Sequence, residues 1–250
     1  MKKFNLIALI PARSGSERVK NKNILSLNNH PLIAYAISSA KKSRIFDSVL
    51  VSTDSSYYAK IAKYYGADVP FLRPKKFSTS ISPDYEWVNY TIQRLDKMNR
   101  TFSHFFILRP TNPFRTDKDI KDAWNFFLKY KNYDSLRAVE LCKQHPGKMW
   151  KINKLKILPV LSKKKINFQP LYNCQYKSLP KIFIQNGFLE ISKIDVLKKY
   201  KTITGKKIIP YFSRDSKSFD INYRKDLDFI KYLLLKRKIF LPSLKIKNYK

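Results

Sequence analysis

Apolar residues in the first half of the chain recur in two alternating patterns, short unbroken runs and stripes of helical period. Leu6-Ile7-Ala8-Leu9-Ile10 is a continuous apolar run of strand length, as expected of a strand buried on both faces of a parallel sheet, and Pro11 ends it. Pro31 marks the first turn of a helix that carries Ile33, Ile37 and Ala40 at helical spacing, and Val49-Leu50-Val51 reads as a second strand. After Asp54, the positions Tyr58, Ile61, Ala62 and Tyr65 fall at i, i+3, i+4 and i+7, with Gly66 where a helix closes in left-handed geometry. A third helix is predicted from Ser82-Pro83, burying Val88, Ile92 and Leu95, ahead of the strand Phe105-Phe106-Ile107-Leu108. Thr116 and Asp119 form a capping-box pattern before the stripe Ile120, Ala123, Trp124 and Phe127. Alternation of this kind predicts a doubly wound, mainly parallel α/β sheet.

Between about 135 and 185 the helical period gives way to short β-rich pieces separated by Pro146, Pro159, Pro170 and Pro180, which predicts a small inserted β-rich lobe. Ile182 to Ile191 reads as a strand returning to the main sheet, and the chain finishes with a helix through Leu227, Ile230, Leu233 and Leu234. The expected organisation is an α/β core over 1–134, the lobe over 135–185, and a return to the core over 186–250.

Composition narrows the class. At 250 residues and 44% hydrophobic, the chain can build one large domain with a real core, which argues against disorder. No stretch approaches the roughly 20 apolar residues of a membrane span. Met1-Lys2-Lys3-Phe4 leads into the first strand without a signal-peptide core, so the cytoplasm is the expected compartment. Cys142 and Cys174 form no CxxC pair, and three scattered histidines do not complete a zinc site.

The formal charge is +33, from 51 Lys and Arg against 18 Asp and Glu, a surplus that attracts phosphates of any kind. It is spread from end to end, with concentrations at Lys163-Lys164-Lys165 and after Lys236, and no zinc-finger or RNA-recognition signature accompanies it. A lysine-rich solvated surface is therefore the plain reading. A basic nucleic-acid-binding protein on a degenerate enzyme scaffold is the rival from another class.

In open α/β sheets ligands bind beyond the carboxyl ends of the strands, so the segments after each strand are where chemistry is sought. The first, running from Pro11 to Asn23, holds Arg13, Arg18, Lys20 and Lys22 among small donors. Arg forks onto phosphate oxygens and Lys supplies a compact charge, a combination suited to a triphosphate. The loop has neither a Gly-Lys-Ser/Thr P-loop nor a GxGxxG, which takes weight from ATPase and dinucleotide readings. An ordinary solvated basic loop is the alternative.

The string Ile10-Pro11-Ala12-Arg13-Ser14-Gly15-Ser16, followed by Lys22-Asn23, resembles the opening of acylneuraminate cytidylyltransferases, the CMP-sialic acid synthetases. The resemblance continues in order through Ser52-Thr53-Asp54, Leu72-Arg73-Pro74, Arg109-Pro110-Thr111-Asn112-Pro113-Phe114-Arg115-Thr116, His145-Pro146, Asn186-Gly187 and Asp220-Ile221-Asn222. It implies a Rossmann-like nucleotidyltransferase fold and transfer of CMP from CTP to an acidic nine-carbon sugar of the sialic-acid type. It also implies Mg²⁺ as cofactor and a homodimer formed through the small lobe. Ala12, Arg13, Ser14, Lys22, Asn23, Arg73 and Ser82 would surround the nucleotide, with Arg13, Lys22 and Asp220 as the catalytic set.

On the sugar side the resemblance implies Arg109, Thr111, Asn112, Lys148 and Asn186. Two prolines make a rigid turn around Thr111 and Asn112 that would fix them opposite sugar hydroxyls. Relatives often have glutamine where Arg109 stands; an arginine either grips the substrate carboxylate or belongs to an ion pair. Arg73 has a surface salt bridge as its alternative. Lys148 matches a sugar-facing lysine, whereas a histidine before proline is more often structural, so His145 receives no proton-transfer role. Tyr176 departs from an arginine of some relatives.

Asp220 and Asn222 lie on one face of an extended segment expected to follow a strand, and their hard oxygens suit Mg²⁺. Many relatives have a second aspartate at Asn222, so one negative charge is missing here. Capping of the last helix is the alternative for these residues and the preferred reading of Asp226. Other acidic sugars, legionaminic, pseudaminic or 3-deoxy-octulosonic acid, are the nearest alternative substrates. The Arg-Pro-Thr-Asn-Pro-Phe-Arg segment weighs against the pseudaminic branch.

Overall fold

The structure is a computed structural model that describes residues 4–162, 164–213, 219–244 and 246–249. Met1, Lys2 and Lys3, and Lys163 of the lysine run, lie outside the described residues. Its elements follow in the order β1 (Leu6–Pro11), β2 (Ser26–Leu27), β3 (His30–Pro31), α1 (Leu32–Ser43), β4 (Ser48–Ser52), α2 (Ser56–Tyr64), α3 (Asp84–Asp96), β5 (His104–Ile107), α4 (Asp117–Leu128) and β6 (Ser135–Leu141). Then come the short strands β7 (Trp150–Asn153), β8 (Lys156–Pro159), β9 (Lys165–Ile166) and β10 (Gln169–Pro170), and finally β11 (Phe183–Lys193), α5 (Asp195–Tyr200), β12 (Ile208–Phe212) and α6 (Arg224–Leu235).

Six strands form one sheet in the order β12-β6-β11-β5-β1-β4. β1 pairs in parallel with both β4 and β5, while β11 runs antiparallel to β5 with Glu190 opposite Ile107. The sheet is thus mixed, with the returning strand reversed. The period-two alternation of β1 divides its side chains between two cores: Leu6, Ala8 and Ile10 pack with α1, α2 and α4, and Ile7 and Leu9 pack with Trp87, Val88, Ile92 and Leu95 of α3. Burial of each such aliphatic side chain stabilises by about 1.5–3 kcal/mol, which is why a run with no polar residue settles only at the centre of a covered sheet.

Local signals act where expected. Thr116 Oγ1 accepts from the Asp119 backbone N–H, and the Asp119 carboxylate accepts from the Thr116 N–H at 2.9 Å, closing the capping box of α4. Gly66 ends α2 at φ +82°, a conformation that costs a residue with a Cβ. Pro31 stands as the N-cap of α1 rather than inside its first turn. No described helix is long and apolar enough to cross a membrane.

The chain divides into two compact units, 1–138 with 186–250, and 139–185. The expected lobe boundary at Ser135 therefore moves to Val139, because Ser135 to Ala138 are buried in β6 of the main sheet. Leu136 and Ala138 join the large core; the alternation that suggested a separate lobe belongs to a strand of the sheet itself. The smaller unit holds the antiparallel hairpin of β7 and β8, in which Ile152 faces Ile157, and the pair β9 and β10. Its Trp150 ring lies 4.7 Å from that of Tyr172, and Cys142 N–H donates to the Ile182 carbonyl near the unit's two ends.

Candidate active site

The loop after β1 is tied down by the end of β4. Ala12 N–H donates to the Ser52 carbonyl at 2.9 Å, and both oxygens of Asp54 accept from Ser14, one from its N–H and one from its hydroxyl, each at 2.8 Å. Buried Asn23 reaches back across the loop to donate to the Arg13 carbonyl at 3.0 Å. Asn23 and Asp54 thus shape this loop from within, whereas Arg13 and Lys22 are half-buried. Arg13 donates only a long 3.4 Å bond to the Ser78 carbonyl, and neither cation makes an ion pair among the described residues.

Lys22 is nonetheless electrostatically coupled to the far end of the chain. Burial pushes its ammonium below the ordinary 10.5; the nearby carboxylate of Asp220 opposes that shift, and Arg18 and Arg13 add to it. Cations from the head of the sequence and the carboxylate from its tail therefore share one electrostatic neighbourhood.

Asp220 is positioned by Ile221. That side chain is fully buried with Phe114, Tyr35, Leu227 and Ile230, and its N–H donates to the Thr111 carbonyl at 2.9 Å, docking the segment onto the loop after β5. With Ile221 inward, Asp220 and Asn222 lie together, and Asn222 Nδ2 donates to Asp220 Oδ2 at 2.9 Å. β12 ends at Phe212, and 214–218, on which a strand leading into this segment would fall, lie outside the described residues. Asp226 accepts from the N–H groups of Asn222 and Tyr223 at 2.8 and 2.7 Å, which is the capping role expected of it.

The other Asp220 oxygen, Oδ1, is buried without a hydrogen-bond partner among the described residues. A desolvated carboxylate oxygen of this kind calls for a cation. Mg²⁺ usually keeps several waters and takes one or two carboxylates plus substrate phosphates, so a single aspartate near Lys22, a cation suited to phosphate, fits it. No group of three or more His, Cys, Asp or Glu occurs among the described residues, and Asn222, as placed, turns its N–H rather than its carbonyl toward Asp220. Asn222 holds Asp220 through that N–H.

Arg109 does not stand ready for a substrate carboxylate. Its Nη2 donates to Asp84 Oδ2 at 2.5 Å and to Glu190 Oε1 at 2.8 Å, and Nε adds a 3.2 Å bond to the same Glu190 oxygen. The second Glu190 oxygen is paired with buried Arg137. Of the two readings of Arg109, the ion pair is the one observed. Fully buried Arg115 braces this loop, donating to the carbonyls of Phe188 and Arg109.

Arg73 is likewise no surface salt bridge. It is buried, donates to the Ser52 hydroxyl and carbonyl at 3.0 and 2.5 Å, and lies 4.9 Å from the centroid of the Trp87 ring. Burial lowers its pKa to about 10, against the nearby carboxylates Asp54 and Asp84.

Other expected residues are engaged differently. Ser82 closes its own loop, donating to the Lys76 carbonyl and meeting the Thr79 hydroxyl at 2.7 Å. Asn186 donates to the Ser213 hydroxyl at 2.7 Å and accepts from the Phe188 N–H. Lys148 lies in the smaller unit, where it donates to the Tyr172 carbonyl at 3.1 Å. Asn112 is buried with neither end of its amide hydrogen-bonded among the described residues, and the Thr111 carbonyl accepts from the Ile221 N–H. His145 accepts from the Gly147 N–H through Nδ1 and sets Nε2 3.0 Å from the Pro180 carbonyl, so both ring nitrogens serve the backbone.

Sequence reading missed Glu190, Arg137 and Asp84. Lone charges inside apolar strand runs, Phe188-Leu189-Glu190-Ile191 and Leu136-Arg137-Ala138, were the available signal, because such charges must find one another.

A cytidylyltransferase family profile matches residues 7–246. An N-acylneuraminate cytidylyltransferase of Escherichia coli O18:K1:H7 is 37% identical over 134 residues, which span 54% of this chain but 31% of that protein. A pseudaminic acid cytidylyltransferase of Campylobacter jejuni serotype O:23/36 is 34% identical over 134 residues, 54% of this chain and 58% of that one. A CMP-N,N'-diacetyllegionaminic acid synthase of Campylobacter jejuni serotype O:2 is 29% identical over 230 residues, 92% of this chain and 94% of the relative. Among solved structures, a CMP:2-keto-3-deoxy-manno-octonic acid synthetase complexed with CTP superposes with a TM-score of 0.66 at 12% identity, over 93% of this chain and 99% of the other, a likeness of fold. With the profile running almost from end to end, the chain belongs to the cytidylyltransferase family.

Proposed function

We propose that the chain transfers CMP from CTP to a nonulosonic acid, releasing pyrophosphate. The observation that carries this reading is that half-buried Lys22 feels both Arg13 and Asp220, and that Asp220 Oδ1 has no hydrogen-bond partner among the described residues. The sugar's anomeric oxygen attacks the α-phosphorus in line; the new O–P bond forms as the bond to the β-phosphate breaks, and the hydroxyl proton passes to solvent. Arg13 and Lys22 hold the triphosphate and offset the charge that gathers on the departing pyrophosphate. Asp220 would hold Mg²⁺, which when bound supplies charge neutralisation between protein and triphosphate. Arg73, fixed beneath the end of β4, lines the nucleotide side.

The substrate range is the nonulosonic acids as a class. Relatives whose names carry sialic, legionaminic and pseudaminic acids resemble this chain to similar degrees, so the Arg109 to Thr116 segment no longer weighs against the pseudaminic branch. Pyrophosphate release from CTP and Mg²⁺, followed across these three acids, tests the reading: release with at least one supports it. No release with any, together with steeply salt-dependent RNA or DNA binding, would replace it with the nucleic-acid rival. We also propose a homodimer through the smaller unit, where Ile152, Leu155 and Phe168 are almost wholly exposed; light scattering at the mass of one chain would contradict it.

A further inference from the structure

Asp84 has no role in the chemistry above, yet each of its carboxylate oxygens serves a different side of the site. Oδ1 accepts from Trp87 Nε1–H at 2.7 Å, and Oδ2 accepts from Arg109 Nη2 at 2.5 Å. Trp87 is buried and carries the guanidinium of Arg73 4.9 Å from its ring centroid; Arg73 is itself fixed on Ser52 at the end of β4. Arg109 leads the other way. A Cβ built on Gly187 would lie 3.5 Å from Arg109 Cδ and 3.4 Å from Asp220 Cγ, so one point on β11 has Arg109 and Asp220 in van der Waals range together. Glu190 and Arg137 close the Arg109 side, leaving two carboxylates against two guanidiniums.

We propose that Asp84 is a positioning residue that couples the nucleotide side of the site, Arg73 on Trp87, to the metal side, Arg109 beside Asp220. This rests on the cytidylyltransferase reading and deepens it. The physical basis is geometric. Asp84 stands at the first turn of α3, a rigid element, and the two donors it accepts come from different segments, so movement of either partner is passed to the other through a single short side chain. Misplacing a reacting group by about 1 Å costs on the order of a hundredfold in rate, and even a fraction of that displacement at Asp220 reads out in turnover. Arg109 accordingly acts on the reaction through its place beside Gly187 and Asp220 and not by binding the sugar carboxylate.

Trp87→Phe removes one N–H and keeps a ring under Arg73, and Arg109→Gln removes the guanidinium; Trp87 and Arg109 are linked through Asp84. Measured against wild type, each single variant should lower kcat by about fivefold while the calorimetric CTP Kd stays within about twofold, and the double variant should fall no further than the worse single one. Losses in kcat that multiply, or single variants with wild-type kcat, overturn the coupling. Sugar KM rising about a hundredfold in Arg109→Gln at unchanged kcat overturns it too, since Arg109 would then be the carboxylate grip. If Arg109→Gln does not fold, Trp87→Phe with Asp84→Asn carries the same cycle. A wild-type chain that releases no pyrophosphate with any nonulosonic acid overturns the family reading and this role together, whereas an active wild type with multiplying losses overturns this role alone.

Discussion

The two arginine-bearing loops at the carboxyl ends of β1 and β5 use the same side chain in opposite ways. Arg13, with Lys22 beside it, is half-buried and lacks a carboxylate partner among the described residues; Arg109 is bonded to both Asp84 and Glu190. An unpaired cation in a partly desolvated loop is costly in the free protein and is relieved by an anion from outside, while a saturated one adds no net attraction. Charge that a protein leaves unspent marks where it binds, and charge that it spends internally marks where it holds its shape.

The largest effect should come from breaking the spent side. Glu190→Gln leaves Arg137 buried and poorly paired, so a denaturant melt should lose about 3–5 kcal/mol, whereas Arg13→Ala should stay within about 0.5 kcal/mol of wild type. Equal losses from both would erase the contrast. On the unspent side, Asp220→Asn should cut pyrophosphate release by about a hundredfold, roughly 2.7 kcal/mol of barrier, with the melt retained. Arg13→Ala should reduce turnover at least about tenfold, equivalent to about 1.4 kcal/mol, and steady-state kinetics showing an unchanged rate would remove it from the mechanism.

The smallest effect concerns pH. Burial pulls the Lys22 pKa below 10.5, and only the charged form attracts phosphate, so CTP affinity should decline as pH rises through that lowered value. Lys22→Arg stays charged throughout and should flatten the alkaline limb; an identical limb in both proteins would mean that Lys22 does not face the triphosphate.

Much of this was legible in the chain. The run from Leu6 to Ile10, the capping box at Thr116 and Asp119, and the left-handed Gly66 are local signals, and the structure obeys them because nothing nonlocal competes. What escaped was nonlocal. Arg109 gave no sign of its partners, since Asp84 and Glu190 lie 25 and 81 residues away in sequence. Ser135 to Ala138 read as lobe because alternation identifies a strand without saying which sheet it joins. Asn23, Asn186 and Ser82 carry hydrogen bonds within their own surroundings that residue type alone does not reveal.

The central claim is that Arg13, Lys22 and Asp220 serve one triphosphate. A crystal structure of the chain with CTP and Mg²⁺ tests it most directly. The account predicts phosphate oxygens within hydrogen-bonding reach of Arg13 and Lys22 and the ion between those phosphates and Asp220; CTP seated elsewhere, with these three side chains untouched, would contradict it.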